Sequence, residues 1–134
     1  MGDEGKQILV VDDEPEARQL IFSYLEDEPV EIRGAVNGRE ALDMMEIFFP
    51  DVVLLDLMMP VMDGFAFLNV LRADPRYHRL RVVVVTAKEL TCEESEQLRQ
   101  QTEHVLQKAG AFGEELKQLL RELLRAARPR LETP

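Results

Sequence analysis

The chain has 134 residues, of which 46% are hydrophobic and 31% are charged, and its formal net charge is −10 at pH 7. This length suits a single domain with its own core, and the apolar content is too high for a disordered chain. The acidic balance argues against direct binding to DNA, because phosphate backbones are held by clustered Lys and Arg.

The sequence also argues against a membrane or secreted protein. No apolar stretch approaches the roughly 20 residues that cross a bilayer, and residues 1–6 are acidic where a secretion signal would be basic and then apolar. The lone cysteine, Cys92, cannot form an intramolecular disulfide or a zinc site of the cysteine type. We therefore predict a cytoplasmic protein without a membrane partner.

Short apolar runs alternate with longer segments of helical period, which is typical of a parallel sheet covered on both faces by helices. Strands are predicted at residues 8–11, 30–36, 52–55, 82–85 and 105–106. The apolar faces of four helices are predicted to be Ala17, Leu20, Ile21, Tyr24 and Leu25; Ala41, Leu42, Met45, Phe48 and Phe49; Phe65, Leu68 and Leu71; and Leu116, Leu119, Leu120, Leu123 and Leu124, before Pro129 ends the pattern.

A further helix, at 91–101, differs from the others in composition. Thr91 and Glu94 form a capping-box pattern, but only Cys92 and Leu98 are apolar beyond it, so this helix is predicted to be held weakly. Together the elements predict an α/β fold, with an open, doubly wound sheet of five parallel strands. The domain is expected at 7–126, with tails at 1–6 and 127–134.

Carboxylate, hydroxyl or ammonium side chains follow four of the five predicted strands. They belong to Asp12 and Asp13, Asp56, Thr86 and Lys108. The carboxyl ends of parallel strands lie at one edge of the sheet, so these groups are expected to converge. Three crowded carboxylates raise one another's pKa unless a cation intervenes, and an oxygen-only set without His or Cys predicts Mg²⁺ or Mn²⁺.

Asp56 is predicted to be the nucleophile in a phosphoryl transfer that forms an aspartyl phosphate. It follows a very hydrophobic strand, with Asp12 and Asp13 to bind metal and Lys108 to pair with phosphate. The Thr86 hydroxyl would donate a hydrogen bond to the phosphate.

Each of these residues also has an interpretation without chemistry. Residues 12–15 could merely cap a helix, and Asp56 could be a turn residue before Pro60, as Asp63 is expected to be before Gly64. Thr86 could be a cap and Lys108 a solvated side chain. The functional hypothesis is favoured because all of the groups fall at strand ends in the order that one metal–phosphate mechanism requires.

Three stretches, at residues 9–15, 51–64 and 84–88, resemble those of bacterial two-component response-regulator receiver domains. The resemblance runs from about Gln7 to Leu124 and implies a flavodoxin-like, three-layer fold. It implies that Asp56 is the phospho-acceptor and that the backbone carbonyl of Met58 is a metal ligand. The implied phosphoryl donor is a histidine kinase or a phosphotransfer protein that carries phosphohistidine.

By the same resemblance, Asp12 and Asp13 would be the metal-binding pair, Thr86 the switch hydroxyl and Lys108 the phosphate-pairing lysine. The chain departs from the family pattern at Val105, where an aromatic is usual, and at Ala109, where a proline is usual. Residues 105–108 are similar to receivers attached to hybrid sensor histidine kinases.

Two other functions compete with the phospho-acceptor switch. An aspartate-nucleophile phosphohydrolase would need a second acid two residues after Asp56, where Met58 stands, so we expect no enzyme beyond self-phosphorylation and slow self-dephosphorylation. The second alternative is a receiver-like interaction module, which would never be phosphorylated and would act only through its surface. If phosphorylation occurs, the 91–101 helix and the strand after it are the expected surface for a downstream protein.

Overall fold

The computed structural model describes residues 6–126, which contain five strands and five helices in strict alternation. All strand pairs are parallel, and the strands form one sheet in the order β2-β1-β3-β4-β5. The strands are β1 (Lys6–Val11), β2 (Val30–Ala35), β3 (Val52–Leu55), β4 (Arg81–Thr86) and β5 (His104–Gln107). This confirms the predicted doubly wound sheet.

The helices cover the sheet from both sides and so form three layers. They are α1 (Pro15–Leu25), α2 (Gly38–Met44), α3 (Gly64–Ala73), α4 (Cys92–Gln101) and α5 (Gly113–Ala126). One apolar core joins alternate strand residues to α2, α3 and α4, and a second core joins the other residues of the same strands to α1 and α5. Strands buried on both faces explain the unalternated apolar runs.

Two of the predicted apolar faces need correction. Leu20 was expected to cover the sheet but is 42% exposed, because the buried face of α1 is defined by Ile21 and Leu25, one helical turn apart. Phe49 is 45% exposed, because α2 ends at Met44 and Phe49 precedes Pro50, which disfavours helical backbone. Its ring lies against Tyr77 instead.

The first strand begins one residue before the expected start of the domain. Lys6, expected in the tail, is the first residue of β1 and is buried where it pairs with Val30. The expected tail at 127–134, including Pro129, lies outside the described residues, as does 1–5. Within residues 6–126 no helix is long and apolar enough to cross a bilayer.

The α4 helix is capped as predicted and thinly packed. The Thr91 hydroxyl accepts from the backbone N–H of Glu94, and the Glu94 carboxylate accepts from the backbone N–H of Thr91. Leu98 is its buried residue, whereas Cys92 is exposed. At the other end, the Arg72 guanidinium donates to the carbonyl of Gln101 at 2.6 and 3.0 Å. The helix is therefore fixed mainly at its two ends.

Candidate functional site

The predicted site residues lie at one edge of the sheet, because backbone hydrogen bonds between neighbouring strands continue past the strand ends. The N–H of Asp56 donates to the carbonyl of Val11 at 2.9 Å, and the N–H of Lys108 donates to that of Thr86 at 2.9 Å. Thr86 is itself the last residue of β4. The three central strands and β5 thus deliver their terminal side chains to the same place.

Three carboxylates meet at this edge, as predicted. Asp12, Asp13 and Asp56 each offer an oxygen, and these oxygens all lie within 4.8 Å of one another. Asp12 is 2% and Asp56 is 5% exposed, while Asp13 is the most exposed of the three. Such proximity of negative charges in a buried place requires compensation by a cation.

Lys108 supplies a positive charge between the two buried carboxylates. Its Nζ lies 2.6 Å from Asp12 Oδ2 and 3.5 Å from Asp56 Oδ2. The other oxygen of each carboxylate accepts a backbone N–H, from Glu14 to Asp12 at 3.0 Å and from Leu57 to Asp56 at 2.8 Å. Each buried carboxylate is therefore oriented by one backbone donor and one shared ammonium.

The environment shifts the pKa of Asp56 upward. Burial is the largest influence and raises the pKa, the Lys108 charge lowers it, and the Asp12 charge raises it again. The Thr86 hydroxyl and the Met58 backbone lower it by smaller amounts. The net rise means that the ionised Asp56 carboxylate is held in an unfavourable state, one that a further positive charge would relieve.

The pKa of Lys108 also rises, although burial, the largest influence, lowers it. The hydrogen bond that Lys108 donates to Asp12 and the negative charges of Asp12, Asp56 and Glu14 outweigh burial. Lys108 therefore stays protonated and positively charged across the neutral range. It has three ammonium hydrogens, so it can pair with an incoming anion by reorienting.

Thr86 is fully buried, and its hydroxyl oxygen accepts the backbone N–H of Lys88 at 3.2 Å. This contact leaves the hydroxyl hydrogen available to a partner on the site side. The interpretation of Lys108 as a solvated side chain is wrong, since its side chain is only 14% exposed.

The donor set fits a hard divalent cation. Only oxygen ligands meet in the carboxylate cluster, and no His or Cys joins it among residues 6–126. Oxygen ligands suit Mg²⁺ and Mn²⁺ rather than zinc. The side chain of Met58 is 53% exposed on the loop after β3, and the role expected of its carbonyl stays a prediction.

The capping interpretation of residues 12–15 holds only in part. Glu14 is the N-cap of α1 without a side-chain cap bond, and Pro15 begins the helix. Asp12 does accept from Glu14, but it also pairs with Lys108. Asp63 is structural as expected, because its carboxylate caps α3 by accepting from Ala66 at 2.9 Å.

Sequence reasoning missed two residues that shape the site. A Cβ on Gly64 would lie 2.7 Å from both the carbonyl oxygen of Asp56 and Leu57 Cα, so only glycine lets α3 approach the backbone of Asp56 and Leu57 this closely. The Arg18 guanidinium donates to the carbonyl of Asp12 at 2.7 Å. Gly64 was signalled only as a turn residue, and Arg18 stands outside the stretches that carry the resemblance.

The two departures from the family pattern are visible in the structure. Val105 is partly buried against the core on the α2–α4 side, where its small side chain packs. Every peptide bond within residues 6–126 is trans, including that between Lys108 and Ala109.

The family model of the response regulator receiver domain matches residues 8–121. The chain belongs to the response regulator receiver family. Among curated proteins, it is 41% identical over 85 residues to response regulator Rre1 of Synechocystis, covering 63% of this chain and 37% of Rre1. The receiver therefore spans less than two thirds of the curated relatives it matches.

Solved structures agree on the flavodoxin-like fold. The Francisella response regulator 1452 receiver domain is 27% identical with a TM-score of 0.80, covering 92% of this chain and 99% of that one. Response regulator TrrA of Thermotoga maritima, solved in complex with Mg²⁺ and BeF, is 32% identical with a TM-score of 0.76, covering 88% and 98%. The attachment to a hybrid kinase stays a prediction.

The shared ammonium predicts strong coupling between Lys108 and Asp12. Lys108→Met should lower the free energy of unfolding by roughly 1–3 kcal/mol without divalent metal, because it leaves two buried carboxylates uncompensated. Adding Asp12→Asn should recover part of that loss, and urea unfolding of both single variants and the double variant gives the coupling energy.

The exposed Arg33–Glu31 pair, at 3.2 Å, is the matched control. Its coupling energy should stay below about 1 kcal/mol. Additive effects of Lys108→Met and Asp12→Asn would contradict the shared-ammonium description.

Proposed function

We propose that this receiver is a phospho-acceptor switch of a two-component phosphorelay, in which Asp56 accepts a phosphoryl group from phosphohistidine of a histidine kinase or phosphotransfer protein. The observation that carries the proposal is the placement of the Asp56 carboxylate. It is buried at the sheet edge, 3.5 Å from the Lys108 ammonium and within 4.8 Å of two further carboxylates.

In the proposed transfer, an Asp56 carboxylate oxygen attacks phosphorus while the phosphorus–nitrogen bond of phosphohistidine breaks. The electron pair of that bond stays on the imidazole nitrogen of the donor. Lys108 pairs with a phosphoryl oxygen, and the Thr86 hydroxyl donates to another. Both residues already adjoin the Asp56 carboxylate and lower its pKa, so they need to move little.

A bound Mg²⁺ or Mn²⁺ would neutralise charge on the phosphoryl oxygens. The residues that would hold it are Asp12, Asp13, Asp56 and the carbonyl of Met58. The support for this part of the proposal is the cluster of carboxylate oxygens and the raised pKa of Asp56, which a divalent cation would lower.

Intact mass after incubation with acetyl phosphate tests the proposal directly. The wild type should gain one phosphoryl group when Mg²⁺ is present, and Asp56→Asn should gain none, because the amide is not a nucleophile here. Asp43→Asn, which changes an exposed aspartate of α2, is the matched control and should behave as the wild type. No gain in the wild type under any condition would favour an unphosphorylated interaction module.

The phosphohydrolase alternative has less support. Met58 occupies the position where that chemistry wants a general acid–base, and its exposed thioether cannot transfer a proton. We infer that the domain is a signalling receiver rather than a turnover enzyme. Met58 would also hinder a water that approaches the aspartyl phosphate.

Shielding by Met58 predicts a long phosphoryl lifetime. Met58→Ala should shorten the half-life of the phosphorylated domain by about threefold or more, because water gains access to phosphorus. The measurement is the decay of the phosphorylated mass after removal of the donor. Ile47→Ala, which removes an exposed apolar side chain of the α2–β3 segment, should leave the half-life unchanged, and equal half-lives for all three proteins would contradict shielding.

We propose that α4 and β5 form the surface to which a downstream protein binds. The α4 helix has one buried residue, Leu98, and its N-terminal end is linked to the site by an ion pair between Lys88 and Glu94 at 3.4 Å. Lys88 also donates its N–H to Thr86. When the Thr86 hydroxyl gains a phosphoryl partner, its contact with Lys88 would change, and Lys88 is paired with the capping residue Glu94 of α4. Direct binding to DNA is not part of the proposal, given the net charge of −10.

Hydrogen exchange tests the α4 proposal. Beryllofluoride with Mg²⁺, a phosphoryl analogue, should change amide exchange in α4 by about threefold or more, because this element is weakly packed. Amides of α5, which packs on the other face, are the internal control, and Asp56→Asn should show no change in either helix. Exchange in α4 that is indifferent to the analogue would contradict the proposal.

We place the receiver in the cytoplasm, in keeping with the exposed free thiol of Cys92. The same proposal assigns it no membrane partner.

A further inference from the structure

Arg18, the fourth residue of α1, makes a contact with the site that no motif signals. Its Nη1 donates to the backbone carbonyl of Asp12 at 2.7 Å. The N–H of Asp12 donates to the carbonyl of Ala35 at 3.0 Å, and its Oδ1 accepts from Glu14. The Arg18 guanidinium therefore completes the set of contacts that fixes the backbone and side chain of Asp12.

The path of the Arg18 side chain depends on a glycine in β2. A Cβ on Gly34 would lie 3.2 Å from Arg18 Cδ and 3.2 Å from Phe22 Cζ, a closer approach than side chains ordinarily tolerate. The missing side chain at Gly34 lets the Arg18 stem lie against β2 and reach the end of β1. Two positions outside the acidic motif thus cooperate in one contact.

The carbonyl of Asp12 belongs to the planar peptide that joins Asp12 to Asp13. A donor that fixes this carbonyl also fixes the direction in which Asp13 leaves the strand. Repulsion among three clustered carboxylates would tend to turn that peptide and move the exposed Asp13 away. A charged guanidinium on a helix can oppose this movement because its hydrogen bond is strong.

We propose that Arg18 is a positioning residue that holds the Asp12–Asp13 peptide so that both carboxylates face the divalent cation. The inference rests on the metal site of the proposed function. It assigns Arg18 no contact with the cation or the phosphoryl group. Its contribution is to metal affinity, since an unrestrained loop would have to be ordered when the cation binds.

The test is the Mg²⁺ dissociation constant of the unphosphorylated domain, measured from amide chemical shifts during titration with MgCl₂. Arg18→Met should raise this constant about tenfold, through loss of one charge-assisted hydrogen bond. Removal of a positive charge near a cation site would by itself strengthen cation binding, so weakening is a result that charge alone does not produce. Arg18→Lys, which keeps a cationic donor, should restore part of the affinity.

Arg121→Met is the charge-matched control. Arg121 lies on α5 and pairs with Glu28, so its removal should leave Mg²⁺ affinity unchanged. Arg18→Gln, whose shorter neutral side chain cannot span the same distance, is expected to behave as Arg18→Met and replaces it should that variant not fold. Phosphorylation by acetyl phosphate should need more Mg²⁺ for half-maximal rate, with the rate at saturating Mg²⁺ within about twofold of wild type.

The outcomes separate the two proposals. A wild type that does not bind Mg²⁺ overturns the metal site and this inference with it. A wild type that binds Mg²⁺, together with an Arg18→Met or Arg18→Gln variant of equal affinity, overturns only the positioning role. A lower rate at saturating Mg²⁺ with unchanged affinity would likewise overturn it, since that pattern indicates a general structural effect.

Discussion

The arrangement of the site depends on compensation of buried negative charge by Lys108. Asp12 and Asp56 are almost fully buried, and a single ammonium lies within 2.6 and 3.5 Å of their oxygens. Burial raises the pKa of Asp56, and the positive charge of Lys108 opposes that rise. The pKa of Asp56 remains raised even with Lys108 present, so the site as it stands favours the arrival of further positive charge.

The parallel sheet is what makes this crowding possible. Asp12 and Lys108 are separated by 96 positions in the sequence, yet both follow strands whose ends lie at one edge. The Asp12 and Asp56 carboxylates are oriented by backbone N–H groups of the loops, and Gly64 packs closely against the backbone of Asp56 and Leu57. The fold therefore orients the carboxylates from fixed backbone positions, and the Lys108 ammonium, with three hydrogens, supplies a charge that can change partners.

Most of the fold and of the acidic cluster could be predicted from the sequence, because both depend on patterns within short stretches of the chain. Apolar runs predict strands buried on both faces, and the residue after each run predicts the sheet edge. The exposure of Leu20 was not predictable from period alone, since a helix face is decided by what packs on it. Arg18 and Gly34 were missed because their contact joins a helix to a neighbouring strand, with no local pattern.

Although Val105 stands where an aromatic is usual, the carboxylate site is still connected to β5 and α4. Lys108 follows β5 directly, and its N–H is bonded to the carbonyl of Thr86. Thr86 in turn accepts from Lys88, whose ammonium pairs with the capping Glu94 of α4. Backbone hydrogen bonds and one ion pair therefore connect Thr86 and Lys108 to β5 and to the first turn of α4. On the opposite face, α5 buries Leu116 and Leu120 against the second core.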